Sequence, residues 1–238
     1  MIPALLMGNT IVLKLPTIGG LAHVLTIAAL ERCFPPGVVT FVTGSGRSTL
    51  PPIMECGKVD MIGYIGGKVG LDVLVRAHPE PHRVKVFSQL EGNNMAVILP
   101  SADLDVTGKE VVTGAFSYNG QRCTAVKLVL VHRDIVDVFV PLFVEAVSKL
   151  KVGLPWDAGV SITPLPDEFK PAYLDELVDD AVEKGASVVC GGLKCHTLLS
   201  PTVLYTVDAT ARIFDEEQFG PVIPVATIDN LDSVLDVA

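Results

Sequence analysis

The chain opens on short apolar runs separated by apolar positions at helical spacing. Residues 11–15, Ile-Val-Leu-Lys-Leu, form a run that stops at Pro16, the pattern of a buried strand. Residues 19–33 carry Leu21, Val24, Leu25 and Ala28 at helical spacing and predict a helix, ended by Pro35-Pro36-Gly37. Residues 38–43 follow as a second, β-branched strand. Gly44-Ser45-Gly46 then turns into a short helix, and residues 59–65 make a third strand before Gly66-Gly67. Strand and helix alternating through short Gly-rich corners predict a parallel sheet covered on both faces.

Further along, the texture changes. Residues 84–87 and 95–99 are strand-like around the polar corner Glu91-Gly92-Asn93-Asn94, and a helix is expected from near Asp103 toward Tyr118. Residues 127–132 alternate as a strand. Ile135, Val138, Phe139, Leu142, Ala146 and Val147 then mark an amphipathic helix, with a kink expected at Pro141. Pro171 opens another helix, with Leu174, Leu177, Val178, Ala181 and Val182 on one face and Gly185 at its end. A strand follows over 187–190. There is no repeat or low-complexity stretch, and the expected domain boundary lies near residues 88–92.

Composition narrows the class. With 238 residues, 49% of them hydrophobic and 19% charged, the chain suits a core-rich globular enzyme domain. No apolar run approaches the roughly 18 to 20 residues of a membrane span, because Asp137, Pro141 and Glu145 interrupt the longest. No basic segment precedes the apolar N-terminus, so no signal peptide is expected. A net charge of −9 argues against a nucleic-acid binder, which needs clustered cations. The five cysteines are odd in number and form no CxxC pair. Neither a disulfide framework nor a metal site at Cys190, Cys195 and His196 is therefore expected, and a reducing, cytoplasmic setting fits.

Among the cysteines, Cys123 has distinctive neighbours. A lone cysteine is most often a small buried hydrophobe. Here Asn119-Gly120 forms a turn, Arg122 places a fixed cation next door, and Thr124 can hydrogen-bond locally, a setting that can favour thiolate. On these residues alone both readings stay open.

The run from Phe116 to Lys127, Phe-Ser-Tyr-Asn-Gly-Gln-Arg-Cys-Thr-Ala-Val-Lys, resembles the active-site cysteine segment of the aldehyde dehydrogenase superfamily. Three further stretches agree in the family's order. Gly8-Asn9-Thr10-Ile11-Val12-Leu13-Lys14 is similar to its cofactor-binding strand, and Ala102-Asp103-Leu104-Asp105 to a characteristic helix start. Glu216-Glu217-Gln218-Phe219-Gly220-Pro221-Val222 is similar to its nicotinamide-ribose motif. Within the superfamily, Lys14-Leu15-Pro16-Thr17, residues 19–25, Gly44-Ser45-Gly46-Arg47 and Gly153-Leu154-Pro155-Trp156-Asp157 resemble the non-phosphorylating, NADP-dependent glyceraldehyde-3-phosphate dehydrogenases.

The resemblance implies an α/β aldehyde dehydrogenase-like fold. Residues 1–90 would form a partial Rossmann-type dinucleotide-binding domain, and residues 91–238 a catalytic domain incomplete at its C-terminus. It implies oxidation of a small-molecule aldehyde through Cys123 as nucleophile, with NADP as cofactor and homo-oligomeric full-length relatives. Arg122 would hold a substrate phosphate, to which a planar guanidinium is suited. Glu217 and Phe219 would hold the nicotinamide ribose, and Lys14 and Thr17 the adenine-side ribose and its phosphate. NAD-preferring relatives often carry a carboxylate where Thr17 stands, which would repel the 2′-phosphate of NADP. Taken without the family, Lys14 and Arg122 read as surface charges, Thr17 as a helix N-cap and Glu217 as a helix-flanking acid.

The chain also departs from the family's pattern. The general base of most relatives falls on Gln89, which cannot take a proton at neutral pH. Glu91 lies two residues along, as in plant-type members, and is the alternative base or a plain loop carboxylate. The dinucleotide corner reads Ile65-Gly66-Gly67-Lys68, without the hydroxyls of relatives. Gly44, Gly66 and Gly67 remain as candidate backbone contacts to the cofactor. The resembled enzymes are about twice as long, and an Asn of their oxyanion hole has no counterpart here. A catalytically impaired homologue that binds nucleotide or a partner is therefore the competing expectation.

Overall fold

A short helix, α1 (Ile2–Leu6), precedes β1 (Ile11–Lys14), which pairs in parallel with β2 (Val39–Val42) in the register Ile11↔Val39 to Lys14↔Val42. Helix α2 (Leu21–Cys33) makes the crossover. After α3 (Gly46–Glu55), β3 (Met61–Ile65), α4 (Lys68–Ala77) and β4 (Lys85–Gln89) repeat the unit, with β3 parallel to β4 from Met61↔Lys85 to Ile65↔Gln89. Two strand–helix–strand units with parallel pairs follow the expected alternation, because a parallel pair needs a crossover of this length. The computed structural model describes residues 1–235, and its contacts form two units, Met1–Glu91 and Gly92 onward.

The first unit departs from the expected covered sheet. It holds two separate two-stranded sheets, and β3 and β4 keep much of their surface open, with Ile65 and Phe87 both strongly exposed. Helix α2 buries no residue: Leu21, Val24, Leu25 and Ala28 all stay exposed, while Ile27 and Leu30 are half-covered. Its apolar spacing thus gives the helix but no packed face. The small core gathers Met54, Leu74 and Val84.

In the second unit, β5 (Met95–Ile98), α5 (Leu104–Phe116), β6 (Leu128–His132), α6 (Arg133–Ser148) and α7 (Lys170–Glu183) come first. They are followed by β7 (Ser187–Cys190), the small hairpin β8 (Lys194–Cys195) and β9 (Leu198–Leu199), β10 (Thr202–Tyr205), α8 (Arg212–Asp215), β11 (Val222–Ile228) and α9 (Asp232–Leu235). The sheet order is β5-β6-β11-β10-β7, parallel throughout except for the β10–β7 pair. Asp103 starts α5 by capping it, its Oδ1 accepting from Asp105 N (3.1 Å) and Val106 N (3.2 Å).

Strand β6 was expected to alternate between buried and exposed positions, yet Leu128 to Val131 are all buried. The reason is its place inside the sheet. Leu128 and Leu130 join a core with Leu174, Leu177 and Ala181 of α7, while Val129 and Val131 join one with Phe139 and Phe143 of α6. Period-two alternation persists, but both faces are apolar. Helix α6 also turns differently from the expected stripe. Val136, Phe139, Val140, Phe143 and Val147 are buried, whereas Val138 and Leu142 are exposed, and Pro141 lies inside the helix on its exposed side. Helix α7 matches its expected face except at Val182, which is exposed. The stacked rings of Phe139 and Phe143, with centroids 5.5 Å apart, fill the middle of one layer. Each such fully buried side chain contributes roughly 1.5–3 kcal/mol.

Candidate active site

The segment between α5 and β6 cannot continue either element. Tyr118, Asn119 and Gly120 have φ of 54°, 60° and 68°, three consecutive left-handed residues. That conformation costs non-glycine residues of order 1–3 kcal/mol each, so surrounding contacts must hold it. Asn119 is buried, its Oδ1 accepting from Thr163 N at 2.9 Å and its Nδ2 donating to Thr163 Oγ1 at 3.2 Å. At Gly120 an added Cβ would stand 2.6 Å from the Gly220 carbonyl oxygen and 2.7 Å from that of Ala115. Glycine is therefore required there for both conformation and space.

From this turn the chain reaches Cys123, half-buried, and then enters β6. Asn94 clamps the far side, its Nδ2 donating to the Cys123 carbonyl at 2.6 Å and to that of Ala125 at 3.0 Å. The Arg122 guanidinium carbon lies 5.5 Å from the centre of the Tyr118 ring. Among the described residues the buried Arg122 Nε has no hydrogen-bond partner. A guanidinium with a donor to spare suits an anionic ligand.

Below the loop stands Lys127, 1% exposed. Its Nζ donates to the carbonyls of Gly120 (3.2 Å) and Arg122 (2.9 Å), and lies 3.3 Å from a Glu217 carboxylate oxygen. The ammonium also sits 4.7 Å from the centre of the Phe219 ring. Burial pushes Lys127 below the usual lysine range, while Glu217 pulls it back up. Gln218, buried between Glu217 and Phe219, donates from Nε2 to the Lys127 and Val222 carbonyls at 2.9 Å each. This side chain binds the 216–222 loop to the start of β6. Lys170 stands over the Tyr173 ring and is likewise pushed down by burial, with Glu217 opposing.

Of the sequence-predicted residues, Arg122, Cys123, Glu217 and Phe219 thus gather in the second unit around Lys127. The others lie in the first. Lys14 Nζ donates to Thr17 Oγ1 at 3.3 Å beyond β1. Thr17 was also a candidate N-cap, but α2 begins at Leu21 with Gly20 as its cap, so that role is not taken. Gly44 has φ +114°, and an added Cβ would meet Thr49 Oγ1 at 2.9 Å. Gly66 (φ +153°) and Gly67 lead into α4, where Gly67 is the N-cap. Glu91 reaches back to this corner. One oxygen accepts from Lys68 N–H at 3.2 Å, and the other lies where a Gly67 Cβ would be only 2.7 Å away. Gln89 ends β4 opposite Ile65.

Sequence reading missed the roles of Lys127, Lys170 and Gln218, assigned none to Asn94, and gave Asn119 a turn but not its bonds to Thr163. The one available signal was a cation directly before the apolar run Leu128-Val129-Leu130-Val131.

The family model of the aldehyde dehydrogenase family matches residues 1–238. The chain belongs to the aldehyde dehydrogenase family. It is 37% identical over 238 residues to an NADP-dependent glyceraldehyde-3-phosphate dehydrogenase of Streptococcus equinus, covering 99% of this chain and 49% of that protein. The counterpart from Pisum sativum is 36% identical over 236 residues, covering 97% of this chain and 46% of the relative. The chain thus spans about half the length of these two relatives. The NADP-dependent glyceraldehyde-3-phosphate dehydrogenase of Bacillus halodurans, solved complexed with NADP, superposes with a TM-score of 0.91 at 36% identity, over 99% of this chain and 49% of that one. Among the described residues no helix of this aldehyde dehydrogenase family chain is long and apolar enough to cross a membrane.

Proposed function

We propose that the chain carries the nucleophile and part of the cofactor site of an NADP-dependent aldehyde dehydrogenase acting on glyceraldehyde 3-phosphate. The observation that carries the proposal is the convergence of Arg122, Cys123 and Glu217 on one buried lysine, in a family whose matching relatives are NADP-dependent glyceraldehyde-3-phosphate dehydrogenases.

Residues 1–90 are read as a partial dinucleotide-binding domain and 91–238 as the cysteine domain. The chain's residues fit the cofactor in two places. Lys14 supplies a cation beside the small neutral Thr17, which leaves room for a ribose phosphate. Glu217 would offer its carboxylate to a ribose diol, with Phe219 sharing the same Lys127 partner. When bound, NADP⁺ supplies the hydride acceptor.

Cys123 as thiolate attacks the aldehyde carbon and gives a thiohemiacetal. Loss of hydride from that carbon leaves a thioester, and water releases the acid and restores the thiolate. Arg122 holds the substrate phosphate and so fixes the carbonyl over the sulfur. Glu91, or a group outside this chain, takes the proton of the attacking water, since Gln89 cannot.

Steady-state turnover of the purified chain with NADP⁺ and glyceraldehyde 3-phosphate, followed by NADPH absorbance, tests this reading. A folded sample without turnover removes the claim that the chain is itself an enzyme. The tie of Glu91 to the α4 N-terminus occupies the alternative base and, with Gln89 at the usual base position, favours a second reading: a catalytically impaired homologue that binds nucleotide or a partner. NADP⁺ binding without turnover would support it. A setting in the cytoplasm belongs to the same proposal.

A further inference from the structure

Lys127 is the most deeply buried cation among the described residues, and no step of the proposed chemistry uses it. A buried ammonium is costly unless paired, and replacing such a pair by apolar groups is often neutral or stabilising. Core packing therefore gives no reason for a lysine at this position. Its contacts do. The two carbonyls that receive Nζ belong to Gly120 and Arg122, at the start and the end of the step leading to Cys123. The Arg122 carbonyl shares its peptide unit with the Cys123 N–H. A cation on that oxygen makes the N–H a stronger donor beside the sulfur. The remaining partners are Glu217 and the face of Phe219.

We infer that Lys127 is a positioning residue that fixes the Cys123 loop and links it to the Glu217 carboxylate, so that charge at 217 is felt at the cysteine. The charged and titratable groups facing it are Glu217, Cys123, Arg122 and Lys170, with Tyr173 bonded to the Glu217 carbonyl at 3.2 Å. The ammonium and the Glu217 carboxylate bring opposite charges to the loop that carries Cys123. The two substitutions that remove one charge each should therefore act in opposite directions. A purely structural lysine would not produce that pattern. This inference rests on the dehydrogenase reading of Cys123, and the experiment separates the two.

The test uses the full chain with Lys127→Met and Glu217→Gln, each confirmed folded by circular dichroism. Amide exchange across residues 117–126, resolved by mass spectrometry, requires no activity. Lys127→Met should speed it about tenfold, the worth of a charge-assisted hydrogen bond. The rate of thiol alkylation at Cys123 is then measured at a fixed neutral pH, with the exposed Cys33 and Cys56 as internal references. At that pH Lys127→Met should slow alkylation of Cys123 several-fold and Glu217→Gln should speed it. Rates that change in the same direction, or that change in neither variant, overturn the inference. A wild-type Cys123 that alkylates like Cys33 instead defeats the dehydrogenase reading. In that case unchanged exchange in Lys127→Met still overturns the positioning role, and faster exchange upholds it. If Lys127→Met does not fold, Glu217→Gln alone decides by the direction of its rate change.

Discussion

The Glu91 carboxylate lies at the N-terminus of α4, accepting the Lys68 N–H at 3.2 Å. It occupies the place where the fold offers amides to an anionic ligand. If the cofactor's pyrophosphate uses the same corner, the carboxylate competes with it. Glu91→Gln should then tighten NADP⁺ binding by about two- to fivefold, the effect of one charge near a helix terminus. Equilibrium titration of NADP⁺ measures this apart from turnover, and weaker binding would refute the competition.

Asn94 supplies both donors that hold the Cys123 and Ala125 carbonyls. Asn94→Ala should cost about 1–3 kcal/mol in urea unfolding, because two partly buried acceptors lose their partner. Asn94→Asp should cost more, since an ionised carboxylate faces two carbonyl oxygens. An aspartate variant as stable as the wild type would contradict the placement of this side chain.

At Gly120 the left-handed backbone and the nearby Gly220 and Ala115 carbonyls leave no room for a methyl group. Gly120→Ala should destabilise the chain by at least about 1–3 kcal/mol, the usual cost of such a conformation. Cys123 alkylation should slow at the same time. Gly159→Ala is the control, as its φ is also positive (+74°) but nothing lies within 4 Å. Its loss should be the smaller of the two.

Arg212 grips Glu216 through Nε–Oε1 (2.8 Å) and Nη2–Oε2 (3.0 Å), which holds the Glu216 carboxyl below its usual range against the opposing effect of burial. A depressed carboxyl contributes stability that is present above its unfolded pKa, about 4.3, and is lost as pH falls through the lower folded value. Because the pair is over a third exposed, the contribution is less than about 1 kcal/mol. Glu216→Gln should therefore be less stable than wild type at neutral pH, and the two should converge as the pH falls below 4.3. A difference that persists unchanged into that acid range would assign the loss to packing instead.

What the sequence disclosed followed from locality. The turn at Asn119-Gly120, the helix start near Asp103 and the strand over 187–190 depend on neighbours a few residues apart, and each stands where the pattern indicated. Lys127 escaped notice because its partner Glu217 is distant in sequence, and a lysine opening a strand looks like a surface charge until that partner is known. The apolar positions of α2 and the open faces of β3 and β4 misled in the other direction. Periodicity reports which residues could be buried together, whereas coverage depends on what packs against them. Strand β6 failed the expected alternation because helices cover both sides of its sheet, a fact set by α6 and α7 rather than by the strand itself.

Strand β6 starts at Leu128, close behind Cys123, and every residue from Leu128 to Val131 is buried. The loop that carries Cys123 is thus moored to a strand whose first four residues are wholly inside the sheet. Its geometry should persist through partial unfolding of the more open first unit and vanish in one cooperative step with the sheet. Heating would leave the cysteine's selectivity nearly constant and then remove it abruptly, at the temperature where the protection of β6 amides collapses.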